Sequence, residues 1–122
     1  MIYDVAVLGS GFGGAVTACR QAECGNRVIL LEKGRRWSKD TYPSVTGKDW
    51  IWENENPRSR NGWFEFRRFR RMAVVSGVGV GGGSLVYANV FVKPPRATFD
   101  KNWPKEITYD ELDPYLDTVG EM

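Results

Sequence analysis

The fold of this chain is decided near its start, where the sequence reads IYDVAVLGSGFGG over Ile2–Gly14. Residues 2–8 form a short, mostly apolar run, which is typical of a strand buried on both faces of a parallel sheet. Four glycines follow within the next six residues. A helix-period stretch comes after them, and its small residues are predicted to form the inward face: Ala15, Ala18, Cys19 and Ala22.

A second strand completes this unit. Gly25 and Asn26 supply the left-handed stop that commonly ends a helix. Residues 27–31 are then predicted to form a second buried strand, which is apolar from Val28 onward and ends at Glu32. A strand, a glycine-rich turn, a helix and a second strand therefore follow one another within about thirty residues. This order predicts a β–α–β unit with parallel strands.

The glycines of this unit, Gly9, Gly11 and Gly14, have the spacing G-x-G-x-x-G, and each has a physical role. Gly9 permits a sharp turn out of the strand. Gly11 lets the main chain approach a pyrophosphate, and Gly14 lets the helix pack closely. The helix N-terminus offers N–H groups and a positive dipole end to phosphates. Glu32 follows the glycines at the sequence separation typical of the acid that accepts hydrogen bonds from ribose hydroxyls. The unit therefore predicts dinucleotide binding.

The residues of this unit leave the choice of dinucleotide open. Glu32 would repel a 2′-phosphate, which disfavours NADP, although Lys33, Arg35 and Arg36 could offset that repulsion. NAD and FAD both present an ADP half with a free 2′-hydroxyl, so this unit is compatible with either.

A second glycine-rich segment follows a predicted strand at Met72–Ser76 and reads GVGVGGGSLV over Gly77–Val86. A segment so poor in side chains contributes little to a core. It is typical of main chain that passes close to something flat or charged. The plainer alternative is a flexible hairpin with no ligand.

The two glycine-rich segments, taken with Glu32, resemble the glucose–methanol–choline (GMC) family of FAD oxidoreductases, and most closely its cholesterol-oxidase-like branch. Further stretches that look like this branch are Lys93-Pro94-Pro95-Arg96, Trp103-Pro104, Tyr109 and Leu112-Asp113-Pro114-Tyr115. The resemblance covers almost the whole chain. Family members are several times longer, so the resemblance implies an N-terminal fragment whose catalytic histidine and substrate domain lie elsewhere.

The resemblance implies FAD as the cofactor, with its ADP half on the first glycine-rich segment and its flavin end near the second. Phe12 and Gly13 would lie along the pyrophosphate. The cofactor-binding residues carried over from the family are Gly9, Gly11, Phe12, Gly13, Gly14, Glu32, Gly83, Ser84, Tyr87, Ala88, Asn89 and Val90. Tyr87-Ala88-Asn89 departs from the Asn-Gly-Gly of cholesterol oxidases. The implied activity is oxidation of a CH–OH group of an alcohol, a sterol included, by hydride transfer to flavin N5 with oxygen or another electron acceptor.

Composition excludes several other chemistries. The 122 residues carry 17 basic and 15 acidic groups and no histidine, so a Ser–His–Asp triad and a histidine zinc site are impossible within the chain. Two cysteines make neither a disulfide framework nor a metal cluster. No apolar run reaches ~18 residues, so no membrane span is expected. The apolar strand begins almost at once, which leaves no room for a signal peptide and predicts a cytoplasmic protein.

The middle and the end of the chain carry opposite charge. Arginines between residues 58 and 71 are interleaved with aromatic residues, a pattern also seen in single-strand nucleic-acid binding. A loop with packed aromatics and solvated arginines is favoured instead, so no nucleic acid is expected as a partner. In the acidic tail, Thr108 and Glu111 predict a capping box. Pro114 predicts a break, with Asp113 capping a separate helix that has Pro114 at its first position.

The sequence therefore predicts an α/β chain: a Rossmann-like FAD-binding β–α–β unit within an incomplete domain. Its expected partners are FAD and, through the rest of the enzyme, a small-molecule alcohol. The alternatives are an NAD-binding dehydrogenase fragment and a dinucleotide-binding regulatory module. The predicted segments are residues 1–34 (dinucleotide-binding unit), 35–71 (aromatic and arginine-rich excursion), 72–96 (second glycine-rich FAD motif) and 97–122 (acidic helical segment, truncated).

Overall fold

The computed structural model describes residues 1–44, 46–101 and 103–121. The chain divides into two compact units, Met1–Tyr87 and Ala88–Met122. Among the described residues, the first unit holds two small β-sheets and one α-helix, and the second unit holds one α-helix. The predicted mixed α/β class is confirmed.

The first sheet is the predicted β–α–β unit. Strand β1 (Val5–Leu8) pairs in parallel with β2 (Val28–Leu31), and helix α1 (Phe12–Glu23) connects them. The strand begins three residues later than the sequence suggested. At that end the Arg27 main-chain N–H donates to Asp4 Oδ2 at 2.8 Å, so a side chain closes the sheet there.

Helix α1 turns a different face to the strands from the one predicted. Its half-buried residues are Gly14, Ala18 and Gln21. Of the predicted inward residues, three are exposed: Ala15, Cys19 and Ala22. A Cβ added to Gly14 would lie 2.0 Å from the carbonyl oxygen of Gly9. Because only a glycine allows this approach, Gly14 sets the rotation of the helix, and the residues one and two turns later follow it.

The second sheet has three strands: β3 (Ile51–Trp52), β4 (Phe64–Arg68) and β5 (Ala73–Gly77). Strand β3 runs parallel to β4, and β4 runs antiparallel to β5. β5 corresponds to the predicted strand at 72–76, shifted by one residue. The chain then passes through the second glycine-rich segment, which contains a short 3₁₀ turn at Gly82–Leu85.

The second unit contains a 3₁₀ turn at Arg96–Thr98 and helix α2 (Tyr109–Glu121). The capping box is confirmed: the Thr108 N–H donates to Glu111 Oε2 at 3.0 Å, and the Glu111 N–H donates to Thr108 Oγ1 at 3.3 Å. The predicted break at Pro114 is wrong, since α2 continues through it. An interior proline costs about 3 kcal/mol.

Two features hold α2 continuous across Pro114. The Lys93 ammonium contacts carboxylates on both sides of the proline, Asp113 Oδ1 at 2.7 Å and Asp117 Oδ1 one turn later. The apolar side chains of α2 are also partly packed, because Leu112 and Leu116 are half-buried within the second unit. Tertiary contacts thus override the local preference of proline.

Little apolar surface is buried within the described residues. Only Trp52 and Val78 are buried apolar residues there, and the buried polar residues are Ser10 and Glu65. Leu8, at the end of β1, is 81% exposed, and Phe12 and Val16 on α1 are also exposed. No helix of the described residues is long and apolar enough to cross a membrane.

We expect Gly14→Ala to lower the free energy of unfolding by about 1–3 kcal/mol, because the new methyl group would overlap the Gly9 carbonyl. The matched control is Gly13→Ala, whose added Cβ meets no atom within 4 Å. An exposed glycine in a helix is less favourable than alanine by about 0.5–1 kcal/mol, so this control is expected to be slightly stabilising. Urea unfolding measures both, and equal shifts would contradict the packing role of Gly14.

Candidate functional site

A cavity of about 540 Å³ opens in the first unit, beyond the carboxyl ends of β1 and β2. This is the edge of a parallel sheet at which α/β proteins bind ligands. Both glycine-rich segments reach the cavity. Its lining residues are Leu8, Gly9, Ser10, Gly11, Leu31, Glu32, Lys33, Gly77 and Gly82.

The first glycine-rich turn presents open main chain at this site. Gly9 has a φ of +90°, which L-residues with a side chain rarely adopt. Cβ atoms built on Gly9, Gly11 and Gly13 would meet no atom within 4 Å. Gly11 is the N-cap of α1, and no side chain of the described residues caps it. The first turn of the helix is therefore accessible for an anion to approach.

The Glu32 carboxylate is held at the end of β2 by three hydrogen bonds. Its Oε2 accepts from the Ser10 main-chain N–H at 2.9 Å and from the Ser10 hydroxyl at 2.7 Å. Its Oε1 accepts from the Gly34 N–H at 2.9 Å. Partial burial raises the pKa of Glu32, but these hydrogen bonds outweigh it, so its pKa lies below the usual range. The group is thus a fixed, ionised hydrogen-bond acceptor.

The second glycine-rich segment packs directly on the first. Gly79 and Gly81 have φ values of +146° and +106°, and Gly82 has +54°. A Cβ on Gly82 would lie 3.0 Å from the Gly11 Cα, which is closer than real contacts normally allow. The Gly81 N–H donates to the Ser10 hydroxyl at 3.0 Å, across 71 residues of sequence. The two segments that the sequence singled out separately thus form one site.

Ser10 is the residue that sequence reasoning missed. It is only 5% exposed, and its hydroxyl links Glu32 to the Gly81 N–H. In the motif it occupies a spacer position, to which no role is assigned. Its polar side chain could have indicated a role, because Ser10 is the one residue with a polar side chain among the glycines of the first turn.

Two of the three cationic side chains that follow Glu32, those of Lys33 and Arg35, are engaged within the first unit. Lys33 Nζ donates to the buried carboxylate of Glu65 at 2.8 Å and lies 5.4 Å from the centre of the Trp52 ring. Arg35 stacks over the Trp37 ring at 5.0 Å. The sequence-based idea that Lys33 and Arg35 could offset repulsion of a 2′-phosphate is therefore weakened.

Glu65 is the most buried charged residue among those described, at 4% exposure. Burial raises its pKa, but the hydrogen bonds from Lys33 and Arg67 outweigh this effect and leave the pKa below its usual range. The Asn54 amide also donates to Glu65 Oε1. Glu65 thus ties the end of β2 to the three-stranded sheet, which carries the second glycine-rich segment.

The remaining predicted site residues divide between the two units. Phe12 and Tyr87 contact each other edge to face, with ring centroids 5.8 Å apart, and a Cβ on Gly83 would lie 4.0 Å from the Phe12 ring. Ser84 lies in the adjacent 3₁₀ turn. The stretch 88–90 belongs to the second unit, where all three residues are exposed.

Comparison with known proteins gives a consistent assignment. Residues 4–64 match the model of a family described as "FAD binding domain". The chain is 40% identical over 102 residues, or 81% of its length, to a cholesterol oxidase of Acinetobacter baumannii. It is 35% identical over 80% of its length to the long-chain-alcohol oxidase FAO1 of Arabidopsis thaliana. It is 32% identical over 91% of its length to a GMC-type oxidoreductase of Mycobacterium tuberculosis.

The chain belongs to the FAD-binding-domain family, and its cofactor is FAD. The resemblance to GMC-type oxidoreductases and cholesterol oxidases that the glycine motifs predicted is confirmed. The chain spans 18% of the length of the A. baumannii cholesterol oxidase, 12% of the plant oxidase and 17% of the GMC-type oxidoreductase.

The geometry of the cavity fits such a cofactor. The glycines of the first turn leave open space beside the main chain, and the helix N-terminus, which no described side chain caps, favours the negative charge of a phosphate. The ionised Glu32 at the end of β2 is an acceptor suited to hydroxyl donors.

We expect the Glu65 ion pairs to make stability depend on acid pH. Because the folded pKa of Glu65 is lowered, its stabilisation is complete above the unfolded value of about 4.3 and is lost as the pH falls through the folded value. Glu65→Gln is therefore expected to be less stable than wild type at pH 7 and to lose less stability between pH 5 and pH 3. Urea midpoints across this range measure the effect, with the exposed Glu55→Gln as control. Parallel pH profiles for wild type and Glu65→Gln would contradict it.

Proposed function

We propose that this chain is the N-terminal FAD-binding part of a GMC-type oxidoreductase that oxidises a CH–OH group of an alcohol. The observation that carries the proposal is the contact between the two glycine-rich segments, through Ser10, beside the fixed carboxylate of Glu32. A single β–α–β unit needs only the first segment to hold an ADP group. The second suits a ligand that extends further, as FAD does. The names of the relatives suggest a sterol or long-chain alcohol as substrate.

The first glycine-rich turn would hold the pyrophosphate. Gly9, Gly11 and Gly13 present main chain with no side chain in the way, and Phe12 begins the helix whose N-terminus faces the anion. Gly14 lets the helix approach the turn. Glu32 would accept hydrogen bonds from the adenosine ribose. Its lowered pKa supports this role, because the ionised carboxylate accepts hydrogen bonds on both oxygens, whereas the protonated form carries an O–H donor on one of them.

The flavin end would lie along the second segment, where Gly83, Ser84 and Tyr87 belong to the first unit. The family-derived assignment of Ala88, Asn89 and Val90, which belong to the second unit, stays a sequence-based prediction. FAD, once bound, supplies the hydride acceptor for alcohol oxidation. This chain's own contribution is to bind and orient the cofactor. The sequence contains no histidine, so this chain offers no histidine base for the hydroxyl proton of the alcohol.

The unit would be the start of a Rossmann-like domain that further chain completes. Support comes from the fraction of the relatives' length that is covered and from the exposed apolar residues of β1 and α1. We retain the division into 1–34, 35–71, 72–96 and 97–122 as part of this proposal, and the cytoplasmic location stays a prediction. An NAD-binding dehydrogenase fragment and a regulatory module are not favoured, because the family match and the relatives are FAD domains and oxidases.

We expect Glu32→Gln in the complete protein to weaken FAD binding by about 1–3 kcal/mol, the usual cost of losing a hydrogen bond to a charged group. The matched control is Glu23→Gln. Glu23 is exposed at the C-terminal end of α1, away from the glycine-rich turn, so this change should leave the FAD affinity unchanged. Titration of the FAD-free protein with FAD, followed by flavin fluorescence, measures both. An unchanged dissociation constant for Glu32→Gln would remove Glu32 from the site.

We expect residues 1–122 alone to oxidise no alcohol and to hold FAD poorly. Apolar residues such as Leu8 and Phe12 lie exposed in the first unit, so the isolated chain should also tend to associate. Alcohol-dependent bleaching of added FAD at its visible absorption bands measures the activity. Turnover with any alcohol would refute the fragment proposal.

A further inference from the structure

The Ser10 hydroxyl is both donor and acceptor in a hydrogen-bond chain that crosses the site. The Gly81 N–H donates to Ser10 Oγ at 3.0 Å, and Ser10 Oγ–H donates to Glu32 Oε2 at 2.7 Å. The direction of each bond is fixed, because the amide has only a proton to give and the ionised carboxylate can only accept. Hydrogen bonds in such a chain polarise and strengthen one another.

These bonds determine which part of the Glu32 carboxylate is available to a ligand. A carboxylate has about four acceptor positions. Ser10 occupies two of them on Oε2, through its N–H and its hydroxyl, and the Gly34 N–H occupies one on Oε1. Of these three hydrogen bonds Oε1 receives only one, so Oε1 keeps more acceptor capacity for a ligand than Oε2. The carboxylate is thus oriented before any ligand arrives, so less rotamer entropy is lost on binding.

We propose that Ser10 is a positioning residue for ribose recognition: its hydroxyl orients the Glu32 carboxylate and couples it to the second glycine-rich segment. The proposal rests on the proposed function, in which Glu32 binds the adenosine ribose. Ser10 lines the cavity but is only 5% exposed, and its hydroxyl is taken up by Glu32 and Gly81, so it acts through these two residues. Alanine at this position would leave the Gly81 N–H without its acceptor and Glu32 Oε2 with one donor fewer.

The test measures affinity for two probes that differ only in the ribose hydroxyls, ADP and 2′,3′-dideoxy-ADP. Isothermal titration calorimetry is carried out on the FAD-free complete protein and on its Ser10→Ala, Glu32→Gln and double variants. Ser59→Ala, in an exposed turn, is the matched serine control. Ser10→Cys keeps a side chain of similar size with a much weaker donor and serves as a second variant if Ser10→Ala unfolds.

If the proposal holds, Ser10→Ala weakens ADP binding by about tenfold, the effect of one hydrogen bond to a charged group, and leaves dideoxy-ADP binding nearly unchanged. Ser10→Cys also weakens ADP binding selectively, but by a smaller factor than Ser10→Ala. In the Glu32→Gln background, Ser10→Ala has little further effect on ADP, because the two residues act as one unit.

Two results would overturn it in distinguishable ways. If Glu32→Gln weakens ADP selectively but Ser10→Ala weakens both probes equally or neither, Ser10 has only a structural role and the proposed function stands. If Glu32→Gln leaves the preference for ADP over dideoxy-ADP unchanged, the ribose role of Glu32 fails and the Ser10 proposal fails with it.

Discussion

The site depends on one short hydrogen-bond chain, from the Gly81 N–H through the Ser10 hydroxyl to the Glu32 carboxylate. It joins three pieces of main chain that are far apart in sequence: the turn after β1, the end of β2 and the segment after β5. A neutral amide and a charged acid are connected by one buried hydroxyl, and the charged acceptor makes this one of the stronger kinds of hydrogen bond. The cavity is bounded by the segments that these hydrogen bonds hold together.

Glycine makes this arrangement possible because the segments approach too closely for side chains. A Cβ on Gly14 would lie 2.0 Å from the Gly9 carbonyl, and one on Gly77 would lie 2.2 Å from the Gly82 carbonyl. Around Gly9, Gly11 and Gly13, by contrast, the space beside the main chain is open. Glycines of the first kind are required by packing within the protein. Those of the second kind leave room on the side proposed for the cofactor.

A second electrostatic link supports the first. Lys33, next to Glu32, pairs with the buried Glu65 of β4, which also receives hydrogen bonds from Arg67 and Asn54. The three-stranded sheet that leads into the second glycine-rich segment is thereby attached to the end of β2. With so few apolar residues buried in the described part of the chain, directional polar contacts have a large share in defining this site.

The sequence by itself determined the β–α–β order, the turn at Gly9 and the acid at Glu32, because strand period, glycine spacing and helix stops are local signals. The two glycine-rich segments were also enough to identify the family. Tertiary structure alone decided the rest. The rotation of α1 follows from one backbone contact at Gly14. Helix α2 continues through Pro114, where Lys93 contacts a carboxylate on each side and Leu112 and Leu116 are packed. The role of Ser10 arises from a contact across 71 residues, which no local pattern encodes.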